Sequence, residues 1–211
     1  MKVFIWCPLI SEVGTTYTVL NTSAAFKKFS KSKIQNSVIN VAEEWTRYKK
    51  NLDSFSTNLI DLKTKLDFKK LPKNSFIKSR FTYLVIFFFS ILKLHRLLKK
   101  EQPDFLIIHI LTPIPLLLLL FNKYNTKFIL RISGYPHISF LRGFLWKLVS
   151  KKIYRVLSPS KNTKKLLINK KIFLDEKIQI IFEPIINLEL IKKKSEYLPN
   201  DIFKNKNNYV I

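Results

Sequence analysis

Cysteine is nearly absent from this sequence: its 211 residues include only Cys7. A single cysteine excludes an internal disulfide framework and any zinc site built on cysteine ligands. A reducing compartment is therefore expected. Cys7 stands at the end of the first apolar run, so we expect it to be a small buried hydrophobic residue.

Glycine is also scarce, with three residues in all, so each is expected where backbone geometry needs it. The sequence has no P-loop, no GxGxxG pattern, no paired carboxylates and no cysteine-histidine cluster at metal-ligand spacing. These absences exclude the commonest phosphate-binding loops, and we predict no metal site.

Acidic residues are few, because 14 Asp and Glu stand against 38 Lys and Arg, for a net charge of +24. Such a charge permits binding to nucleic acid, to an anionic membrane surface or to phosphorylated substrates. The excess is almost all lysine, in a chain rich in Ile, Asn and Phe, so an AT-rich coding bias explains it equally well. No recognisable nucleic-acid-binding module is visible, and we expect no nucleic-acid partner.

No uncharged apolar segment reaches the roughly 20 residues that span a bilayer. The most apolar predicted helix, Phe81–Leu98, contains an uncharged stretch, Phe81–Leu92, of 12 residues. It is either a buried crossover helix or a helix in the membrane interface with its basic flanks among the headgroups. The N-terminus has no apolar core and cleavage site of the signal-peptide kind.

Short apolar runs that end at turn or polar residues alternate with segments of helical length. In the second half these runs are Phe105–His109, Lys127–Gly134, Tyr154–Ser160 and Lys177–Pro184; earlier strands are predicted at Lys2–Trp6, Ser37–Val41 and Leu59–Leu62. The alternation predicts an α/β fold, a Rossmann-like parallel sheet with helices on both faces. Ligands of such sheets bind beyond the carboxyl ends of the strands, so the residues there are the candidates for function.

The remaining segments are assigned as helices, loops and a boundary. Helices are predicted at Thr16–Phe29, Leu116–Lys123, Leu141–Lys152 and Lys161–Asn169, the last capped by Ser160, whereas Glu43–Asp53 and Lys63–Lys78 are predicted to be irregular. The polar, basic stretch near the end indicates a linker before a new apolar run at Tyr209–Ile211. We therefore expect one domain at 1–190, then at 191–211 a linker and the start of a second domain that is missing, as in a truncated or split gene.

The turn after the first strand is a candidate binding element. Gly14 stands between that strand and a helix, where a bare backbone beside helix N–H groups suits a phosphate or a sugar. Thr15 and Thr16 would donate hydroxyl groups to the same ligand. A plain turn with a helix cap is the alternative.

Two histidines and one arginine follow later strands. His109 and His137 are candidate general bases toward an acceptor hydroxyl, because an ordinary histidine pKa lies near neutrality. Arg131, with Ser133 and Gly134 beside it, would bind a phosphate or carboxylate of the ligand. A structural histidine, an exposed loop histidine and a structural ion pair are the respective alternatives.

The order of these elements resembles the N-terminal domain of the GT-B glycosyltransferases of family 4, which include many enzymes of bacterial capsule and lipopolysaccharide synthesis. Four stretches carry the likeness: the first strand and its Gly14 loop, PDFLIIHI before a helix that opens with proline, RISGYP, and YRVLSPSKNTKKLL followed by KIQIIFEPIIN. Where the family has an Asn-Pro-like pair, this chain has Glu183-Pro184.

The resemblance implies a glycosyltransferase fragment of surface polysaccharide synthesis. A nucleotide-sugar would be its donor substrate, with no further cofactor, and a lipid-linked or saccharide hydroxyl its acceptor. This chain would supply the acceptor-side half and be inactive alone, because in the family the second domain builds most of the donor site. It implies a cytoplasmic protein held peripherally at the inner face of the cell membrane, with Lys63–Lys100 as the contact surface. The alternative is a non-catalytic basic α/β module that binds nucleic acid or membrane.

Overall fold

All seven predicted strands form, and helices separate them. The computed structural model describes residues 1–9, 13–67, 70–72, 76–183 and 192. The strands are β1 (Lys2–Trp6), β2 (Gln35–Asn40), β3 (Thr57–Asp61), β4 (Phe105–Ile108), β5 (Lys127–Arg131), β6 (Arg155–Ser158) and β7 (Ile178–Ile180). The helices are α1 (Gly14–Phe29), α2 (Lys49–Ser54), α3 (Phe76–Glu101), α4 (Pro113–Phe121), α5 (Phe140–Val149) and α6 (Lys161–Asn169).

The strands make one parallel sheet in the order β3-β2-β1-β4-β5-β6-β7. β1 lies inside the sheet, with Ile5 opposite Val38 of β2 on one side and Ile107 of β4 on the other. The chain therefore builds the sheet outward from β1 in one direction and then in the other. In sheets of this kind a crevice forms beyond the carboxyl ends of the two strands where the order reverses, here β1 and β4.

Two separate cores cover the two faces of the sheet. Successive residues of a strand point to opposite faces, so Phe4 and Trp6 enter one core while Val3 and Ile5 enter the other. The first core contains apolar residues of α3, α4, α5 and α6, and the second contains residues of α1 and α2. The predicted fold class, a Rossmann-like parallel sheet with helices on both faces, is confirmed.

The longest helix, α3, packs on the sheet through one side only. Ile86, Leu94 and Leu98 are buried in the core, which fits a crossover helix. On its other side Phe88 is 70% exposed and Leu92 is 64% exposed. By length and composition alone, its segment Arg80–Glu101 could cross a membrane. The helix thus combines a docked side with an uncovered apolar side.

Two segments predicted to be irregular are partly helical. The range Glu43–Asp53 holds a 3-10 turn, Thr46–Tyr48, and most of α2, while α3 begins inside the predicted loop Lys63–Lys78. The prediction failed for α2 because only Leu52 of its six residues is buried, which gives no apolar periodicity. Trp45 is fully buried, and its indole N–H donates to the Cys7 carbonyl at 2.9 Å.

Other boundaries move by a few residues, as capping chemistry and tertiary packing decide. α1 begins at Gly14 rather than Thr16, α4 at Pro113 rather than Leu116, and β7 covers only Ile178–Ile180 of the predicted run Lys177–Pro184. Ser160 caps α6 as predicted, with its hydroxyl accepting the Thr163 N–H at 3.1 Å. The linker and second domain predicted at 191–211 fall outside the described residues, except for residue 192.

Candidate functional site

A cavity of about 670 Å³ opens at the carboxyl edge of the sheet, beyond β4 and β5. Its walls come from the ends of these strands, the loops that follow them, the first turn of α1 and side chains of α3 and α5. The lining residues are Thr15, Arg80, Tyr83, His109–Pro113, Leu130–Ser133, Tyr135–His137, Arg142 and Trp146. The cavity lies where a doubly wound sheet is expected to bind its ligand.

Five of the eight predicted site residues line this one cavity: Thr15, His109, Arg131, Ser133 and His137. They are far apart in the sequence, and the parallel sheet brings them together because it collects strand ends at one edge. Gly14, Thr16 and Gly134 belong to the same loops but are not among the lining residues.

His109 is fixed at the base of the cavity. Its backbone N–H donates to the Trp6 carbonyl at 3.0 Å, which extends the pairing of β4 with β1 by one residue. The side chain is buried, and neither ring nitrogen has a hydrogen-bond partner. Burial, and secondarily the positive charge of Arg131, lower the pKa of His109 to about 3. At neutral pH the imidazole is therefore uncharged and poorly basic, with both nitrogens available to a ligand.

Arg131 ends β5 and takes part in a buried ion pair. Its Nη2 lies 3.3 Å from Oε2 of Glu183, which also accepts a hydrogen bond from Oγ1 of Thr18 at 2.8 Å. Nη2 donates to the Phe182 carbonyl as well, at 3.3 Å. The contacts join α1 to the ends of β5 and β7. They leave Nε of Arg131 and Oε1 of Glu183 buried without a partner.

The first turn of α1 is accessible, but its glycine is not required by sterics. A Cβ at Gly14 would meet no atom within 4 Å, and Val13 provides no side-chain cap. Thr15 reaches the cavity, whereas Thr16 is buried with its hydroxyl unpartnered. The backbone N–H of Thr16 donates to the Val13 carbonyl at 2.9 Å, so this group of the first turn is already paired.

The loop after β5 forms the outer rim. Gly134 has φ +70, a left-handed conformation that glycine adopts without strain, and its carbonyl accepts from Thr163 at 3.4 Å. His137 is exposed, and its carbonyl accepts a hydrogen bond from Nη1 of Arg142 at 2.6 Å. The two predicted histidines thus occupy different depths, His109 at the base and His137 at the rim.

Sequence reasoning missed four large side chains of the cavity: Arg80 and Tyr83 from α3, and Arg142 and Trp146 from α5. A signal for two of them was present. Only six of the 38 basic residues are arginine, namely 47, 80, 96, 131, 142 and 155. In a lysine-rich chain, each arginine is a candidate for a specific role.

A second, apolar groove of about 340 Å³ adjoins the cavity between α3 and α4. It shares Arg80, Tyr83, Leu111 and Pro113 with the cavity, and Leu84, Phe87 and Ile114 complete its walls. The polar cavity and the apolar groove are therefore neighbours with a common wall.

Exposed apolar side chains surround this region. On α5, Phe140 is 85% exposed and its ring stacks on that of Phe144, with centroids 6.4 Å apart. On α3, Phe81, Leu84, Phe88 and Leu92 follow at helical spacing along the uncovered side. Neighbouring exposed apolar side chains of this kind are typical of an interaction surface.

The sequence matches no known protein family and no curated protein. Solved structures nevertheless match the fold. UDP-GlcNAc 2-epimerase from Neisseria meningitidis, bound to UDP-GlcNAc, aligns with a TM-score of 0.61 and 14% identity over 94% of this chain. A glycosyltransferase from Rickettsia africae aligns at 0.57 and 17% identity over 95%, and Anabaena HepE, in complex with UDP, at 0.52 and 9% over 94%.

This chain covers 50% of each of those three proteins. It has the fold of one Rossmann-like half of a GT-B protein. The GT-B part of the resemblance is thereby confirmed at the level of the fold. At these identities the comparison establishes the architecture of this half-GT-B domain, and the activity has to be argued from its cavity.

Proposed function

We propose that this half-GT-B domain is the acceptor-side half of a family 4-type glycosyltransferase of surface polysaccharide synthesis. The observation that carries the proposal is the cavity at the carboxyl edge of the sheet, with unpartnered polar atoms of His109 and Arg131 at its base. Buried polar groups without partners are costly in a resting protein. A saccharide ligand, rich in hydroxyl groups, would satisfy them.

The donor in this proposal is a nucleotide-sugar, bound as a substrate, and no further cofactor is expected. Two of the similar structures hold UDP-GlcNAc or UDP. Because this chain spans half the length of those proteins, the remaining donor contacts are assigned to a second Rossmann-like domain.

In the reaction, an acceptor oxygen bonds to the anomeric carbon while the bond from that carbon to the phosphate oxygen breaks. The nucleoside diphosphate leaves with the electron pair, and the acceptor proton must be removed. His109 is too weak a base at pKa about 3 to hold that proton, so we assign it to accept a hydrogen bond and orient the hydroxyl. His137, at the exposed rim, is the better placed of the two to take the proton and release it to water.

The proposal places the protein in the cytoplasm, peripherally at the inner face of the cell membrane. Its support is the pair of exposed apolar stripes on α3 and α5, together with the charge of +24. Apolar side chains would enter the membrane interface, and lysines would contact anionic headgroups. Each lysine near the surface contributes about 1 kcal/mol to the free energy of membrane binding.

The test begins with the DNA beyond codon 211, so that the chain is produced together with any second domain encoded there. The preparation is incubated with labelled nucleotide-sugars and membrane lipid from the source cell, and label in lipid or polysaccharide is measured. Transfer that falls in His109→Gln and His137→Gln, but not in His95→Gln, supports the proposal. His95 is the matched control because it bonds to Tyr124 outside the cavity, at 2.6 Å.

Two other outcomes would overturn the proposal. An altered nucleotide-sugar without transfer would indicate an epimerase, a second candidate because two epimerases share this fold at TM-scores of 0.61 and 0.58. Salt-sensitive binding to an arbitrary oligonucleotide, without consumption of any nucleotide-sugar, would indicate a non-catalytic basic module.

A further inference from the structure

We propose that the cavity and the adjoining groove together bind a lipid phosphate, with the phosphoryl group among Arg80, Arg131 and Arg142 and the hydrocarbon chain in the groove. The inference rests on the proposed function. That function allows a lipid-linked or a saccharide acceptor, and the inference specifies a phosphorylated lipid.

The distribution of arginine carries the first half of the argument. Three of the six arginines of the chain line this cavity, whereas no lysine of the described ranges does so, although lysines are over five times as numerous in the sequence. Coding bias toward lysine cannot produce that pattern. The planar guanidinium group matches phosphate oxygens with two parallel N–H donors, which lysine cannot do.

The electrostatics of the cavity agree with an anionic ligand. No Asp or Glu is among the described lining residues. Arg131 is 6% exposed, with Nη2 held by Glu183 and its buried Nε without a partner. The other two arginines, Arg80 and Arg142, are exposed on helices at the mouth. Glu183 neutralises one side of Arg131, whose Nε has no partner in the described part of the protein.

The groove supplies the second half of the argument. It begins at the cavity, because Arg80, Tyr83, Leu111 and Pro113 line both, and continues along apolar side chains of α3 and α4. Its 340 Å³ would hold roughly ten methylene-sized groups at about 30 Å³ each. A ligand that fills both spaces must carry an anionic head directly joined to an apolar chain, as a lipid phosphate does.

The experiment measures binding of decyl phosphate to the full 211-residue chain, below the concentration at which this probe forms micelles. Inorganic phosphate and decanol are the two comparison ligands, since each tests one half of the site. We expect decyl phosphate to bind at least 100-fold more tightly than either of them. Circular dichroism of each variant confirms that it is folded.

Two pairs of matched variants locate the two halves. Arg80→Gln and Arg142→Gln should each weaken the binding of decyl phosphate about 10-fold or more, as expected for the loss of a charge-assisted hydrogen bond. Arg96→Gln, on the same helix as Arg80 and about 24 Å along its axis, should change nothing. Leu84→Gln, in the groove, should weaken binding, while Leu92→Gln, similarly exposed but outside it, should not.

The proposal is overturned if folded wild-type protein does not bind decyl phosphate. It is also overturned if inorganic phosphate or decanol binds equally well, or if the arginine variants behave like Arg96→Gln. Failure of the proposed function is a separate result: the binding pattern would be obtained while no sugar is transferred. Conversely, transfer that persists with no arginine-dependent binding would refute only this inference.

Discussion

Two buried titratable groups give the domain opposite pH dependences, and their cancellation can be tested. Glu44 follows β2 and is 1% exposed; burial, opposed in part by N–H donors from Val41 and Ala42, raises its pKa to about 7. Burial beside Arg131 lowers the pKa of His109 to about 3. The corresponding unperturbed pKa values are 4.5 and 6.5.

The sign of each contribution to the unfolding free energy follows from the number of protons bound by the folded and the unfolded chain. Between pH 4.5 and 6.5 folded Glu44 keeps a proton that the unfolded chain loses, so its contribution to the unfolding free energy falls as pH rises. Over the same interval unfolded His109 binds a proton that the folded chain does not, so its contribution rises. Each contribution changes by about 2 kcal/mol across this interval, because part of each titration falls outside it, and the two changes have opposite signs.

Removing either group should therefore leave the pH dependence due to the other group uncompensated. Relative to wild type, Glu44→Gln should gain about 2 kcal/mol in unfolding free energy from pH 4.5 to 6.5, and His109→Gln should lose as much. The measurement is urea unfolding followed by tryptophan fluorescence, which suits this chain because all three tryptophans are buried. Since Cys7 is a free thiol, a reducing agent is included.

The controls separate titration from simple destabilisation. Glu43→Gln, at the exposed neighbouring position, should keep the wild-type pH profile. The double variant of Glu44 and His109 should again give the profile of the wild type, at lower stability. Profiles of Glu44→Gln and wild type that run parallel would refute the reasoning, because Glu44 would then not titrate in this range.

Three further predictions concern the ion pair, α3 and the membrane. Glu183→Ala should cost about 3–5 kcal/mol in urea unfolding because it leaves Arg131 buried and unpaired, and adding Arg131→Met should recover most of that loss. Leu98→Ala, on the buried side of α3, should lower the free energy of unfolding by about 2–5 kcal/mol, whereas Leu92→Ala, on the uncovered side, should change it by less than about 0.5 kcal/mol. Equal effects of the two substitutions would contradict the docking of α3. The chain should sediment with anionic vesicles more than with neutral ones, and Phe140→Ser should reduce this; equal binding to both would contradict the electrostatic contribution.

The strands were predictable because burial on both faces of a parallel sheet requires nearly continuous apolar runs. Phe105–Ile108 and Lys127–Arg131 show this pattern, and each is followed within a few residues by polar and proline or glycine residues, at which the chain turns. Helix α2 was not predictable in this way, since its position depends on the burial of Leu52 against residues from other elements. Such a contact cannot be predicted from the residues of the helix alone.

For the site, sequence located the strand ends but not the partners they meet. His109 and Arg131 were found because polar residues at the ends of apolar runs are conspicuous. Glu183 stood out in the sequence only as part of the Glu183-Pro184 pair, and its ion pair with Arg131, across 52 positions, required the structure. Arg80 and Arg142 stand within helices, where an arginine is ordinarily a solvated surface residue.

The sequence by itself determined the fold class and the edge of the sheet at which the candidate site lies, because apolar periodicity and parallel topology are enough to fix both. Only the tertiary structure decided the chemistry of that edge. It brought three arginines to one cavity, buried His109 so that its pKa falls far below neutrality, and set an apolar groove against the same wall. The physical reason is that burial and through-space charge depend on neighbours that the chain supplies from distant positions.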